Sequence, residues 1–438
     1  MVALARRAGA DQAECTLLEG AEFSANVRLG EVESVKESGS SGLGLRVLIG
    51  RRSGSSYTSD FSPAGIDRLV DSAVALARIT SEDPHAGLPE PSELGSLDAD
   101  LGLYHDDVAR LDAAEKIDLA RSCERAALDL DPRIVNSEGG SFDSGWSRRR
   151  FANSRGFAGE YRRTSCSLAA VPVAAENGQM QRDYWYTISR SFAGLEPPES
   201  VGRRAAERTL RRLGAVKVET RRVPVVFEPR TARTLLANLF EAVNGDAVYR
   251  HSSFLAGKLG ERVAAAEVRV IDDGRLPGGF GTSPFDDEGV PTRRTTVIEA
   301  GVLRSYLLNV YTARKLGLAT TGNASRGLSG NPSIGPGNFF LEPGPYRPEE
   351  IVASVEDGFF VTELMGFGVN MVTGDYSRGA AGLWIRNGEL AFPVHEITIA
   401  GNLSQMLENI EMIGSDLEFQ GPVAAPTIKI REMTVGGK

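Results

Sequence analysis

The sequence predicts an α+β protein in two parts. A mixed α/β region with an antiparallel sheet spans residues 1–220, and a barrel- or sandwich-like region with few helices spans 221–438. Three observations carry this. Forty-nine glycines in 438 residues favour turns and strands over a helical architecture. Short apolar alternations separated by Gly or Asn-Gly turns fill most of the second half. Composition shifts after Lys217-Val218, just before the apolar run 223–227, which sets the boundary at 218–222.

In chain order, residues 1–14 open with a short amphipathic helix broken by charge, unlike a signal peptide. Residues 14–35 alternate and predict a hairpin with turns at Gly20 and Gly30, and 42–49 and 55–58 continue its sheet. Ser62 before Pro63 is a helix start, hydroxyl at the N-cap and proline at N1. That helix buries Ile66, Leu69, Val70, Ala73, Val74 and Ala77. A proline- and acid-rich loop over 80–106 leads to a helix over 113–130, stopped by Asp131-Pro132. Between 133 and 191 lie four or five polar strands with turns at Gly139-Gly140, Gly156 and Asn177-Gly178. A basic helix follows over 198–213. Beyond the boundary come a buried strand (223–227) and an apolar helix carrying Leu235, Leu236, Leu239, Ala242 and Val243. Strands follow at 268–272, 295–299, 302–307, 339–342, 359–364, 382–386, 389–392 and 427–431, with helices at 348–355 and 402–410.

Net charge is −9 and pI about 5.3, which argues against a non-specific nucleic-acid binder. Cys15, Cys123 and Cys166 form no CxxC pair, so a reducing, cytoplasmic setting without disulfides is expected. No apolar run approaches the roughly 20 residues of a membrane span.

Chemistry is sparse. Glu241 sits in the apolar helix without a histidine within a turn, and a capping or pairing role outweighs that of a general base. Asp286, Asp287 and Glu288 cluster in a loop; a hard cation is one reading, but a solvated or arginine-paired turn is favoured because no ligand spacing is met. His395-Glu396 lies in an alternating run whose neighbours face opposite ways. No GxSxG elbow, P-loop or dinucleotide fingerprint occurs. The arginines of 198–213 read as a solvated face rather than a polyanion site. The run Asp183-Tyr184-Trp185-Tyr186 lines a peptide groove or packs as an ordinary strand.

From about residue 223 onward the chain resembles the PmbA/TldD family, called modulators of DNA gyrase. The resemblance runs through GDAVYRHSSFLAGKLGERVA, FDDEGVPT, VIEAGVLRSYLLNVYTARKLGLATTGNASRG and TGDYSRGAAGLWIRNGEL. It implies a two-subunit zinc peptidase acting on unfolded peptides. The TldD-type subunit carries HExxxH and a later cysteine; here those six positions fall on Phe240, Glu241, Ala242, Val243, Asn244 and Gly245, and no cysteine follows Cys166. Only the glutamate survives, so the chain is similar to the metal-free TldE/PmbA-type subunit. The resemblance thus implies no cofactor in this chain, zinc in a TldD-type partner, a homodimer when alone, and no nucleic acid or membrane. Asp286, Asp287, Glu288, Asn323, Arg326 and Asp375 are its candidate peptide or partner contacts. A stand-alone homo-oligomeric peptide binder and a metal-independent hydrolase using Glu241 or a cysteine are the alternatives.

Overall fold

Alternation with period two, sustained over unusual lengths, dictates the first half. In the structure, a computed structural model describing residues 1–437, α1 (Val2–Arg7) leads into β1 (Gln12–Arg28), β2 (Glu31–Ile49) and β3 (Arg52–Thr58). After α2 (Pro63–Ile79), α3 (Asp107–Arg110) and α4 (Ala113–Leu128) come β4 (Ile134–Asn153), β5 (Ala158–Glu176), β6 (Gln179–Arg182) and β7 (Trp185–Ser189). These strands form one antiparallel sheet in the order β3-β2-β1-β4-β5-β6, with β7 also on β5. α5 (Pro198–Leu210) and α4 cover one face, burying Phe142, Cys166 and Leu168.

Two predicted turns are not turns. Gly20 lies inside β1 opposite Ser40, where a Cβ would come within 2.8 Å of the Trp146 carbonyl oxygen, so glycine there answers a close strand approach. The hairpin reverses at Leu29 and Gly30, both left-handed (φ 52° and 82°), as a two-residue hairpin requires. Gly139-Gly140 marks a register shift within β4, a bulge rather than a reversal. The start of α2 follows the prediction: the Ser62 hydroxyl accepts from the Gly65 N–H at 3.1 Å, although Gly65 rather than Ile66 completes the buried stripe.

The second half closes a barrel. β8 (Arg221–Phe227) precedes α6 (Pro229–Val243), α7 (Gly245–Tyr249), β9 (Val270–Asp273), β10 (Arg294–Glu299), β11 (Val302–Leu303) and α8 (Val310–Leu316). Then follow β12 (Ala324–Ser325), β13 (Ser333–Ile334), β14 (Phe339–Leu341), α9 (Pro348–Ala353), β15 (Asp357–Met365), β16 (Asp375–Arg386) and β17 (Glu389–Asn402). α10 (Leu403–Glu408), β18 (Ile410–Ile413), β19 (Val423–Ala424) and β20 (Ile428–Gly436) end the chain. The order β17-β16-β15-β8-β20, with β20 pairing back onto β17, removes the sheet edges. Its core holds Phe227, Phe359, Tyr376 and Trp384 together with Leu235, Leu236 and Leu239 of α6. A second sheet, β11-β10-β9-β14-β19, flanks it.

The 80–106 loop straps the halves together. Gly95 donates to the Gly289 carbonyl, Leu97 to that of Pro284, and Gly278 to that of Leu101. Among the described residues no helix is long and apolar enough to cross a membrane.

Candidate functional site

The apolar helix does not continue through the positions singled out in sequence. α6 ends at Val243; Asn244 takes an extended conformation (ψ 121°), and its side chain caps α7 by accepting from the Asp246 N–H at 3.0 Å. Phe240 and Gly245 therefore belong to different helices. Phe240 is buried edge-on against Phe339, with ring centroids 5.6 Å apart. Gly245 is buried under α8, where an added Cβ would come within 2.4 Å of Leu308 Cδ2 and 2.9 Å of Thr312 Oγ1. Glu241 reaches the surface; partial burial of its carboxyl raises it above the usual range, and a hydrogen bond with Asn244 offsets this in part.

A zinc ion does not fit here. Phenyl and glycine offer no donor, and one carboxylate cannot complete the three or four ligands a zinc site needs. Among the described residues no group of three or more His, Cys, Asp or Glu side chains is placed to hold a metal.

The acidic loop is brought together with Asn323 and Arg326, deep between the two halves. Asp286 accepts backbone N–H bonds from Glu288, Val290 and Ala324 at 2.9–3.0 Å. Burial raises its carboxyl above the usual carboxylate range. Asp287 bridges Arg149 Nη1 (2.7 Å) and the Arg326 N–H (2.7 Å). Glu288, 1% exposed, accepts from the Val310 N–H at 2.8 Å; burial, with the Asp286 charge behind it, raises its carboxyl too. Asn323 Nδ2 donates to Asp272 Oδ2 at 2.7 Å. Arg326 reaches Glu14 of β1 at 2.7 Å. Asp375 stands apart and exposed at the head of β16, with Thr373 and Asn402 as partners. Of the three, only Asp287 pairs with an arginine side chain; Asp286 and Glu288 are held by backbone N–H groups, and the turn is buried rather than solvated.

The basic helix departs from expectation. Arg208 of α5 is buried and forks onto Glu228 at 3.0 and 2.7 Å, with Asp183 at 3.3 Å. Arg212 faces Asp183 and Glu363. Sequence spacing shows where charges lie on a helix; it could not show that Glu228, past the expected boundary, lies under them. Trp185 is buried in β7 beneath Arg204, whose guanidinium stacks 3.7 Å from the ring. Missed altogether was a cleft of about 400 Å³ on the face of the first sheet opposite α4 and α5, beside the area that Arg326 and Leu328 cover, floored by residues of β1, β2, β4 and β5. Its signal was serine and charged residues at every second position, alternating with buried residues such as Phe142, Cys166 and Leu168.

Three family models match in chain order: PmbA/TldA metallopeptidase domain 1 over residues 13–77, the central domain over 106–213 and the C-terminal domain over 220–437. Metalloprotease PmbA of Escherichia coli O157:H7 is 42% identical, the match covering 98% of this chain and 93% of that protein. A PmbA homologue of Haemophilus influenzae is 36% identical over 100% of this chain and 94% of its own length. A crystal structure from Bacteroides thetaiotaomicron, described as a modulator of DNA gyrase, superposes with a TM-score of 0.92 at 28% identity, covering 100% of this chain and 97% of that one. TldE from Thermococcus kodakarensis shares the fold, with a TM-score of 0.89 at 22% identity over 100% and 99% of the two chains. With all three domains present in order and relatives matched nearly end to end, the chain belongs to the PmbA/TldD metallopeptidase family.

Proposed function

We propose that this chain is the metal-free subunit of a two-component cytoplasmic peptidase. In this reading a homologous subunit bearing HExxxH supplies the zinc, and the present chain completes a chamber for unfolded peptides. One observation carries it. The positions where the resemblance puts imidazoles hold Phe240 and Gly245, and their surroundings are filled by Phe339, Leu308 and Thr312. A change of side chain alone would not rebuild ligands in a packed core. The family membership supports a role in peptide hydrolysis, and extended sheet surfaces suit unfolded chains.

The test joins metal analysis to reconstitution. The purified chain should carry no stoichiometric zinc and cleave no unfolded peptide by itself. Activity should appear when an HExxxH-bearing homologue is added, and the two should co-elute. Zinc-dependent cleavage by the lone chain overturns the proposal. A stable homo-oligomer that neither engages the homologue nor gains activity points instead to a stand-alone peptide binder.

A further inference from the structure

The face of the first sheet turned away from α4 and α5 is paved with small polar side chains, among them Ser24, Ser38, Ser165 and Ser167. Arg163 of β5 and Arg190, directly after β7, line the cleft above them. Arg190 is 8% exposed. It donates to the carbonyl oxygens of Thr164 (3.1 Å), Gly279 (3.2 Å) and Phe280 (2.9 Å) and stacks on the Phe280 ring. Arg163 donates to the Tyr161 hydroxyl (3.2 Å) and the Thr282 carbonyl oxygen (3.1 Å). Each keeps a buried Nε–H with no acceptor, as the carboxylate-paired Arg46, Arg208 and Arg326 also do, so the difference lies in the missing acid.

Neither guanidinium has a carboxylate within ion-pair distance among the described residues. Asp287, the acid whose charge bears on Arg163, is already held by Arg149 at 2.7 Å. Elsewhere in this protein buried arginines have such partners: Arg46 and Arg326 share Glu14, and Arg208 has Glu228. A cation withdrawn from water beside a second cation is costly. Burial, with the charge of Arg163 behind it, pushes Arg190 down to about 10. Carbonyl dipoles meet part of that cost, and an anion would meet the rest. Lys36 also lines the cleft, against the carboxylates Glu22 and Asp143. The excess of one positive charge suits a monoanion better than a phosphate dianion.

We propose that this cleft holds a carboxylate of an extended peptide at the guanidinium groups of Arg163 and Arg190, a reading that rests on the peptide-handling role above. Serine hydroxyls along the strands would meet the peptide backbone, and the arginine pair would set the register. The carboxylate could be an acidic side chain or the free C-terminus.

Fluorescence anisotropy with the full chain decides between these. Three labelled Gly/Ser peptides are compared: one Asp with an amidated end, one Asn with a free C-terminal carboxylate, and one Asn with an amidated end. At least one carboxylate peptide should bind about tenfold or more tightly than the neutral one, and its identity names the source. Arg163→Gln, at a half-buried site, should abolish that preference while leaving the neutral peptide unaffected. Arg190→Lys, which keeps the charge but not the planar fork of donors, should weaken it. Equal binding of all three peptides overturns the proposal, as does an Arg163→Gln protein of unchanged melting temperature that keeps the preference. Cleavage of the neutral peptide by the complex with the zinc-bearing homologue is read separately. Loss of that activity with the preference intact sinks the subunit role alone. Activity without any preference sinks only the carboxylate site.

Discussion

Arg326 Nη1 stands 2.7 Å from Glu14 Oε1, and Arg46 Nη1 stands 2.8 Å from the same oxygen. One carboxylate thus joins a loop of the second half to two strands of the first, with all three side chains almost wholly buried. Removing different members has unequal consequences. Arg326→Met leaves Glu14 still paired with Arg46, whereas Glu14→Gln leaves two guanidiniums facing each other without an anion. Glu14→Gln should therefore cost more, about 3–5 kcal/mol. Urea unfolding of both variants checks this; an equal or smaller loss for Glu14→Gln would refute the shared-anion account.

Asp272 gives a pH dependence of definite sign. It is fully buried, accepting from Asn323 Nδ2 at 2.7 Å and the Gly337 N–H at 2.8 Å. Burial outweighs those bonds and raises it to about 7. A carboxyl raised in the folded state binds its proton more tightly there than in the unfolded chain. Its stabilising contribution is complete below the unfolded value near 4 and is lost as pH rises through about 7. Asp272→Asn cannot ionise, so its melting temperature relative to wild type should climb between pH 5 and pH 8. Parallel curves for the two proteins would remove Asp272 from the account.

Much of the fold was legible because its signals are local. Ser62-Pro63 sets a helix start within four residues, and Leu29-Gly30 a hairpin within two, whatever the rest of the chain does. The errors arose where a residue answers to something distant. Gly20 reads as a turn until Trp146 is seen against it, and Arg208 reads as a solvated cation until Glu228 lies beneath it. The absence of imidazoles at Phe240 and Gly245 was visible in the letters. That α6 breaks at Asn244, and that Leu308 and Thr312 close over Gly245, depends on a helix 65 residues further on and was not. Arg163 and Arg190 escaped for the same reason: an arginine without an acid is defined by its surroundings.

Restoring the histidines should therefore fail. In Phe240→His/Gly245→His the new Cβ at 245 meets Leu308 Cδ2 at 2.4 Å, and the helix break at Asn244 keeps the two positions on separate helices. Overpacking of this kind costs about 1–3 kcal/mol. The double variant should melt lower than wild type and take up no stoichiometric zinc by metal analysis after dialysis. A variant that binds zinc one-to-one with unchanged stability would show that the packing is softer than these contacts imply.

The Arg208–Glu228 fork lends itself to a double-mutant cycle. Arg208→Met leaves Glu228 to Arg211 at 3.4 Å and Asp183 to Arg212 and Arg230 at 3.9 Å, all three acid–arginine contacts longer than the fork. It should cost at most about 3 kcal/mol, the low end for a buried charge that loses a partner. Arg208→Lys keeps the charge but cannot place two parallel donors on one carboxylate, so it should fall between wild type and methionine. Adding Glu228→Gln to Arg208→Met removes a carboxylate left with Arg211 alone and should return part of the loss, a coupling of about 0.5–3 kcal/mol. Urea midpoints of the four proteins at one pH give that energy directly. Additive losses would mean that α5 is held by its apolar stripe, with the fork contributing nothing beyond the packing of its carbon atoms.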